Sequence, residues 1–301
     1  MSSFTKKLSL PLLLATLILA ILVGCGTRPG SQTSNNVNSP MQPSESKEVK
    51  VDPFNESGLA IIRVREGEVY HEGVVDSKDN EILQLSANYL VKDLTGSLAL
   101  INCGRKFLFV PLDQGSITAE DIESVNGFQY AQPFHCGLAL VCVNDSWFYL
   151  DTEFKKVFGS EFQFAESFHH DRALVKENDR YRIINTDGET VAELNYDQVN
   201  SQSPKCWQVI NIEHGMYRSG FVGLNGEMLT ELMYEGPVFY QPEVQRIRVT
   251  VGKLHGFLDD DAKTAIPVKY EHAEIFDRGI ARVMLDGRTF FIDPDGNEVS
   301  E

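Results

Sequence analysis

Cationic side chains are scarce in this 301-residue chain: 27 Lys and Arg stand against 43 Asp and Glu, a formal charge of −16. A surface that acidic repels nucleic acid and anionic head groups, so nucleic-acid binding is not expected. Apolar runs are as scarce, and none of membrane length follows residue 25. The common catalytic signatures are also missing. There is no Gly-x-Ser-x-Gly, no phosphate-binding loop and no Gly-x-Gly-x-x-Gly, and no His-x3-His or Cys-x2-Cys spacing suggests a metal. Ser146 lies in Asn-Asp-Ser-Trp, a turn before a strand, with no base placed beside it. No cofactor is expected, and an enzymatic activity is not the favoured reading.

What the chain does have begins at its N-terminus. Lys6 and Lys7 precede an apolar run from Leu8 to Val23, which Ser9, Pro11 and Thr16 interrupt. A charged start, a short apolar core and a small residue describe a secretory signal peptide rather than a membrane span. Leu22-Val23-Gly24-Cys25 resembles the bacterial lipobox. The resemblance implies that residues 1–24 are a signal cut between Gly24 and Cys25, that the Cys25 thiol is lipidated, and that the mature chain is held to a membrane outside the cytoplasm. Two or more acyl chains anchor stably where one does not. Gly26, rather than Asp, follows the anchored Cys, which in a two-membrane cell implies the outer membrane.

Residues 25–50 are the lipidated Cys and a tether. Ser, Asn, Pro, Gln, Thr and Gly dominate it and no aromatic residue seeds a core, so burial cannot offset the entropy of ordering. Its expected end-to-end distance is roughly 25–30 Å. The domain proper is expected over residues 51–301.

Cys103, Cys136, Cys142 and Cys206 remain. An even number in an exported chain permits two disulfides with three pairings. Four buried free thiols are the preferred reading, because free Cys is among the most buried residue types. Cys136 and Cys142 are also too far apart to bridge within one extended strand.

The stretch RIINTDGETV at residues 182–191 returns as FFIDPDGNEV at residues 290–299. An apolar residue followed by a polar turn also occurs at Val75, Val110, Leu150, Ile184, Val222, Leu258 and Ile292, with spacings of 34 to 40 residues. A period of that size signals a repeat architecture. In Asp293-Pro294-Asp295-Gly296, Pro294 presets φ for a type I turn, and Gly296 takes the positive φ that closes a bulged hairpin. An aromatic or apolar strand precedes each turn (WFYL, YRII, GFL, FFI). Another follows (TVAEL, EMLTEL, TAIPV), and a third lies upstream (GLAIIRV, SLALINC, GLALVCV, RALVKE, GIARVML). Each unit therefore reads as a three-stranded antiparallel meander.

Tyr-acid pairs close the later units at Tyr196-Asp197, Tyr234-Glu235 and Tyr270-Glu271. A Phe opens the first strand at Phe54, Phe134, Phe168 and Phe276. This pattern, fullest over residues 269–296, resembles the WG repeat of bacterial proteins. The family's Trp-Gly pair stands here as Ser219-Gly220 and His255-Gly256. The resemblance spans residues 54–299 and implies an all-β domain with no family-wide catalytic residues. A small meander cannot cover both of its own faces, so stability comes from stacking. The expected fold is all-β, about seven units in a propeller-like ring, with an open β-solenoid as the alternative.

The repeat phase puts His135, His169, His170, Asp171, Asp277 and Arg278 in equivalent loops just after the opening Phe, the candidate binding loops. Metal at the histidines is disfavoured because only one unit has the pair and no ligand spacing supports it, and calcium at Asp259-Asp260-Asp261 or at residues 293–297 because turn chemistry already explains those acids and the EF-hand spacing is missing. The expected function is a membrane-anchored binding module for an envelope protein. The alternative is a propeller-like carbohydrate or peptidoglycan hydrolase, whose two carboxylates would be hidden among the acids. A solute-binding lipoprotein ranks last, since that class has α/β lobes.

Overall fold

The computed structural model describes residues 47–113, 115–123 and 126–300. The expected signal peptide, Cys25 and the tether up to residue 46 lie outside the described residues.

Among the described residues, seven small antiparallel sheets follow one another along the chain, each with its strands in sequence order. Sheet one holds β1 (Lys47–Val51), β2 (Leu59–Glu66), β3 (Val69–Asp76) and β4 (Glu81–Ser86). Sheet two holds β5 (Leu90–Thr95), β6 (Leu98–Cys103) and β7 (Lys106–Pro111), and the short helix α1 (Ala119–Glu123) follows it. Sheet three holds β8 (Tyr130–His135), β9 (Leu138–Val143) and β10 (Ser146–Leu150). Sheet four holds β11 (Phe164–Ala165), β12 (Arg172–Glu177), β13 (Arg180–Asn185) and β14 (Thr190–Leu194). Sheet five holds β15 (Gln198–Ser203), β16 (Cys206–Glu213) and β17 (Met216–Gly223). Sheet six holds β18 (Phe239–Gln241), β19 (Arg246–Val251), β20 (Leu254–Leu258) and β21 (Thr264–Tyr270). Sheet seven holds β22 (His272–Ala273), β23 (Ala281–Leu285), β24 (Arg288–Ile292) and β25 (Glu298–Val299).

The fold of the described residues is thus all-β, a succession of seven small antiparallel sheets. Three of them have the expected three strands; sheets one, four, six and seven have four. The chain divides into two compact units. The first takes in sheets one and two, the second sheets four to seven, and sheet three is shared out between them.

Two expected segments are corrected. Residues 47–50, expected as tether, pair with β2 from Lys47↔Glu66 onward, and Lys47 Nζ lies 2.9 Å from Glu66 Oε1. Residues 227–232 (EMLTEL) form no strand among the named elements. Leu229 N and Thr230 N both donate to Phe221 O, and Phe221 N donates to the Thr230 hydroxyl at 3.0 Å. A side chain has taken the place of a ladder carbonyl, and the pairing breaks there.

The repeated turn is one structure. At Asp76, Asp151, Asn185, Gly223, Asp259 and Asp293, the backbone N–H donates to the carbonyl four residues ahead. The residue three ahead donates back to the first carbonyl. Where the first residue is Asp or Asn, its Oδ1 also accepts the N–H groups two and four ahead, at 2.8–3.1 Å. This is an Asx turn, the local reason for the acid or amide at that place. The fourth residue has φ between +59° and +83°, so Gly188, Gly226 and Gly296 suit it. The turn expected after Val110 includes residue 114, outside the described residues.

Gly256 accounts for the glycine of the repeat's Trp-Gly position. A Cβ there would lie 2.7 Å from Val268 Cα and 2.8 Å from Ile266 O. The strand register shifts between His255 and Phe257, so β21 bulges toward β20 at this point. Gly220 and Gly73 meet neighbouring backbone in the same way, each with a carbonyl 2.7 Å from the added Cβ.

In the second unit the core is a chain of clusters between consecutive sheets. Leu174, Ile183 and Leu194 of sheet four pack with Val199, Trp207, Val209 and Val222 of sheet five. Phe221 and Tyr234 join Ile247, Val249 and Leu258, and Phe257 joins Phe276, Val283 and Ile292. Each fully buried aliphatic side chain contributes about 1.5–3 kcal/mol. The Phe and Tyr landmarks belong here: Phe168, Phe276, Tyr234 and Tyr270 are buried, whereas Phe54 is 46% exposed. In the first unit one cluster serves sheets one and two, built on Val74, Leu83, Ala99, Ile101 and Val110.

Candidate functional site

The loops expected after the opening Phe are two-residue hairpin turns. Cys136-Gly137, His170-Asp171 and Arg278-Gly279 each have positive φ at both positions, the geometry that matches the twist of flanking strands. His169 N donates to Arg172 O and Arg172 N returns a bond to His169 O; Asp277 and Ile280 do the same. Several of these residues are thus selected partly as turn formers. Asp171 and His170 are residue types enriched in left-handed backbone, whereas Arg278 sits there at some cost.

Of the six candidates, the structure brings His135 and His169 together, within the second unit, with ring centroids 5.5 Å apart and planes at 40°. Burial, then the neighbouring His135 and His170, push the His169 pKa down, so its ring is neutral at neutral pH. His170 Nδ1 lies 3.3 Å from Pro204 O. The Asp171 turn is fixed through its neighbour, since Arg172 Nη1 donates to Asp171 O at 3.0 Å and Nη2 to Asn225 Oδ1 at 3.0 Å. Asp277 and Arg278 are exposed in sheet seven and share the turn geometry without joining this cluster.

The four described cysteines are free. Burial holds for two of them: Cys142 and Cys206 are buried, Cys103 is half-buried and Cys136 is exposed at the tip of its turn. Burial pushes the Cys206 thiol up to about 11, so it is inert. Among the described residues, one group of three metal-ligand side chains comes within reach of itself, the carboxylates of Asp259, Asp260 and Asp261. Lys205 Nζ already stands 3.2 Å from Asp260 and 3.5 Å from Asp261, and Asp259 Oδ1 is spent on its turn. The amine supplies the positive charge that the carboxylates require.

Two features escaped the sequence. Glu166 receives the Trp207 indole N–H at 3.0 Å, and burial raises its carboxyl pKa against the bonds from Trp207 and Ser201. It is a polar rivet between sheets four and five. The second is a groove of about 450 Å³ in the second unit, between residues 216–219 of β17 and residues 234–237. Ile210, Met216, Tyr217, Tyr234 and Pro237 give it apolar walls; Arg218 paired with Glu235 forms part of its lining. Met216 is 59% and Tyr217 52% exposed there.

Similar structures include a eukaryotic initiation factor at 12% identity, covering 86% of this chain and 77% of its own, with a TM-score of 0.46. Hsv2 from Kluyveromyces lactis matches at 10% identity over 82% of this chain and 92% of its own, with a TM-score of 0.41. No curated protein matches the sequence. The model of the WG containing repeat matches residues 127–147, 147–181 and 256–288. The two longer matches run from the third strand of one sheet to the third strand of the next, so the WG β-repeats matched at residues 127–181 and 256–288 have a sequence frame that straddles the sheets.

Proposed function

We propose that this chain is a lipid-anchored, extracytoplasmic lipoprotein whose WG-type β-repeats form a binding module for another envelope protein. The observation that carries the binding half is the common scaffold. Tight turns of one backbone geometry hold different side chains, His170-Asp171 in sheet four and Arg278-Gly279 in sheet seven, on rigid strands. Rigid scaffolds with variable loops are how repeat proteins make recognition surfaces. The anchoring half rests on the Leu22-Val23-Gly24-Cys25 ending and the polar stretch after it. The absence of a catalytic signature from the sequence and the turn roles of the clustered acids favour binding over hydrolysis.

Metabolic labelling with an alkyne fatty acid, followed by membrane sedimentation, tests the anchor. The wild type is expected to carry label and sediment with membranes, and Cys25→Ala to carry none. An unlabelled wild-type chain that is processed and free of membranes would overturn it.

A further inference from the structure

Sheet five ends in an overhang. Ser219 N donates to Tyr234 O and Tyr234 N to Ser219 O, both at 2.9 Å, so Ser219 turns its backbone away from β16. The β16–β17 pairing runs without a register shift from Cys206↔Gly223 to Glu213↔Met216. Backbone direction alternates along a strand, so Tyr217 points its N–H and C=O the same way as Ser219. The partner segment has left by then: Glu235 N donates to Thr250 O of sheet six at 2.9 Å. Among the described residues no backbone group pairs with Tyr217 on that side. The open edge faces the groove of about 450 Å³, whose walls include Met216, Tyr234 and Pro237.

We propose that this groove takes an extended peptide segment of a partner protein as an added strand, its main chain on Tyr217 and one apolar side chain in the pocket. An unpaired edge supplies directional main-chain bonds, and a pocket beside it reads alternate side chains. The chain's excess of 43 acidic over 27 basic residues selects against acidic segments, so lysine or arginine flanks the apolar anchor. The proposal deepens the binding-module reading and rests on it. It does not depend on lipid attachment.

The test uses full-length protein in detergent micelles and an array of synthetic heptapeptides that alternate Lys with Val, Leu, Phe or Tyr. Fluorescence anisotropy then follows the strongest binders. Tyr217→Ala removes the ring and keeps the amide, whereas Tyr217→Pro also removes the N–H, at an edge position where Pro is tolerated. Thermal melts confirm that both variants fold. The expected result is binding by at least one peptide, weakened about tenfold more by Tyr217→Pro than by Tyr217→Ala. N-methylation of the peptide at alternate amides should weaken it similarly. Absence of peptide binding, equal binding by both variants, or retention of a soluble glycan polymer in place of peptide would each overturn the proposal. A partner captured on cells while no peptide binds would keep the module reading and remove this groove from it.

Discussion

The carboxylate of Glu227 occupies the place where a side chain on Gly223 would be: a Cβ added at Gly223 would stand 2.3 Å from Glu227 Oε1. In five sister turns an Asp or Asn caps the backbone from the first position. Here the first residue has no side chain, and Glu227 Oε2 reaches back to accept Asn225 N at 3.1 Å. The cap has moved four residues along the chain and kept one of its bonds.

Gly223→Asp alone is therefore expected to cost less than about 1 kcal/mol, because the flexible end of Glu227 can swing aside but gives up its own cap bond in doing so. Gly223→Asp with Glu227→Thr should return close to wild type, because the sister-turn arrangement is then restored. Urea unfolding of the two single variants and the double variant measures the coupling. Additive effects would contradict a shared cap position.

Gly256→Ala is expected to cost about 1–3 kcal/mol, since the new methyl meets the β21 backbone, which cannot step aside as a flexible side chain would. A thermal melt of the variant checks this. An unchanged midpoint would mean that the bulge at His255–Phe257 relaxes freely.

Asp79 holds φ at 64° in the fourth position of its turn and is exposed. Asp79→Gly should stabilise by about 0.5 kcal/mol, the left-handed strain outweighing the glycine's extra unfolded entropy. Phe154 and Ala262 hold the same conformation, with φ at 59° in both. There the side chain compensates: Phe154 packs on Phe109 with centroids 5.7 Å apart, and Ala262 is 3% exposed in the core. Glycine at those two sites should not help.

Much of this was legible because it is local. Asx turns and positive-φ glycines depend on residues within one tetrapeptide, so Asp293 and Gly296 announce their roles without tertiary context. The second and third strands showed as short apolar stretches such as RALVKE and YRII, whose buried residues are contiguous. The added first strands did not: Phe164–Ala165, Phe239–Gln241 and His272–Ala273 are too short to hold a period. β1 is exposed along its whole length, so KEVKV looks like tether.

The sites were less legible. His135 and His169 come from different repeats, and phase alone brought them into equivalent turns. The groove depends on where pairing with Tyr234 stops, a tertiary fact. Glu166 and Trp207 meet 41 residues apart, at a distance no local pattern spans.

Glu166 gives a pH prediction. Burial, acting against hydrogen bonds from Trp207 and Ser201, raises its folded pKa above the ordinary value. The folded state therefore keeps this proton to higher pH than the unfolded chain. The contribution is complete below the ordinary carboxylate pKa and is lost as pH rises through the raised one. Relative to wild type, Glu166→Gln should be more stable at pH 7 than at pH 4. Urea midpoints for both proteins at both pH values decide it.

His169 acts in the other direction. Burial first, then His135 and His170, lower its folded pKa, so the unfolded chain binds the proton sooner as pH falls. Its contribution is present above the ordinary histidine pKa of about 6.5 and fades below it. His169→Gln should flatten the decline in melting temperature between pH 7 and pH 5. A slope identical to wild type would mean that the histidine cluster is not coupled to folding.

The most direct test of the binding-module account is chemical cross-linking on intact cells that carry the full-length chain, followed by mass spectrometry. The account predicts capture of one abundant envelope protein, lost when His135, His169, His170 and Asp171 are replaced together or when Tyr217 is replaced by Pro. Wild-type cells in which no protein partner is captured would contradict it.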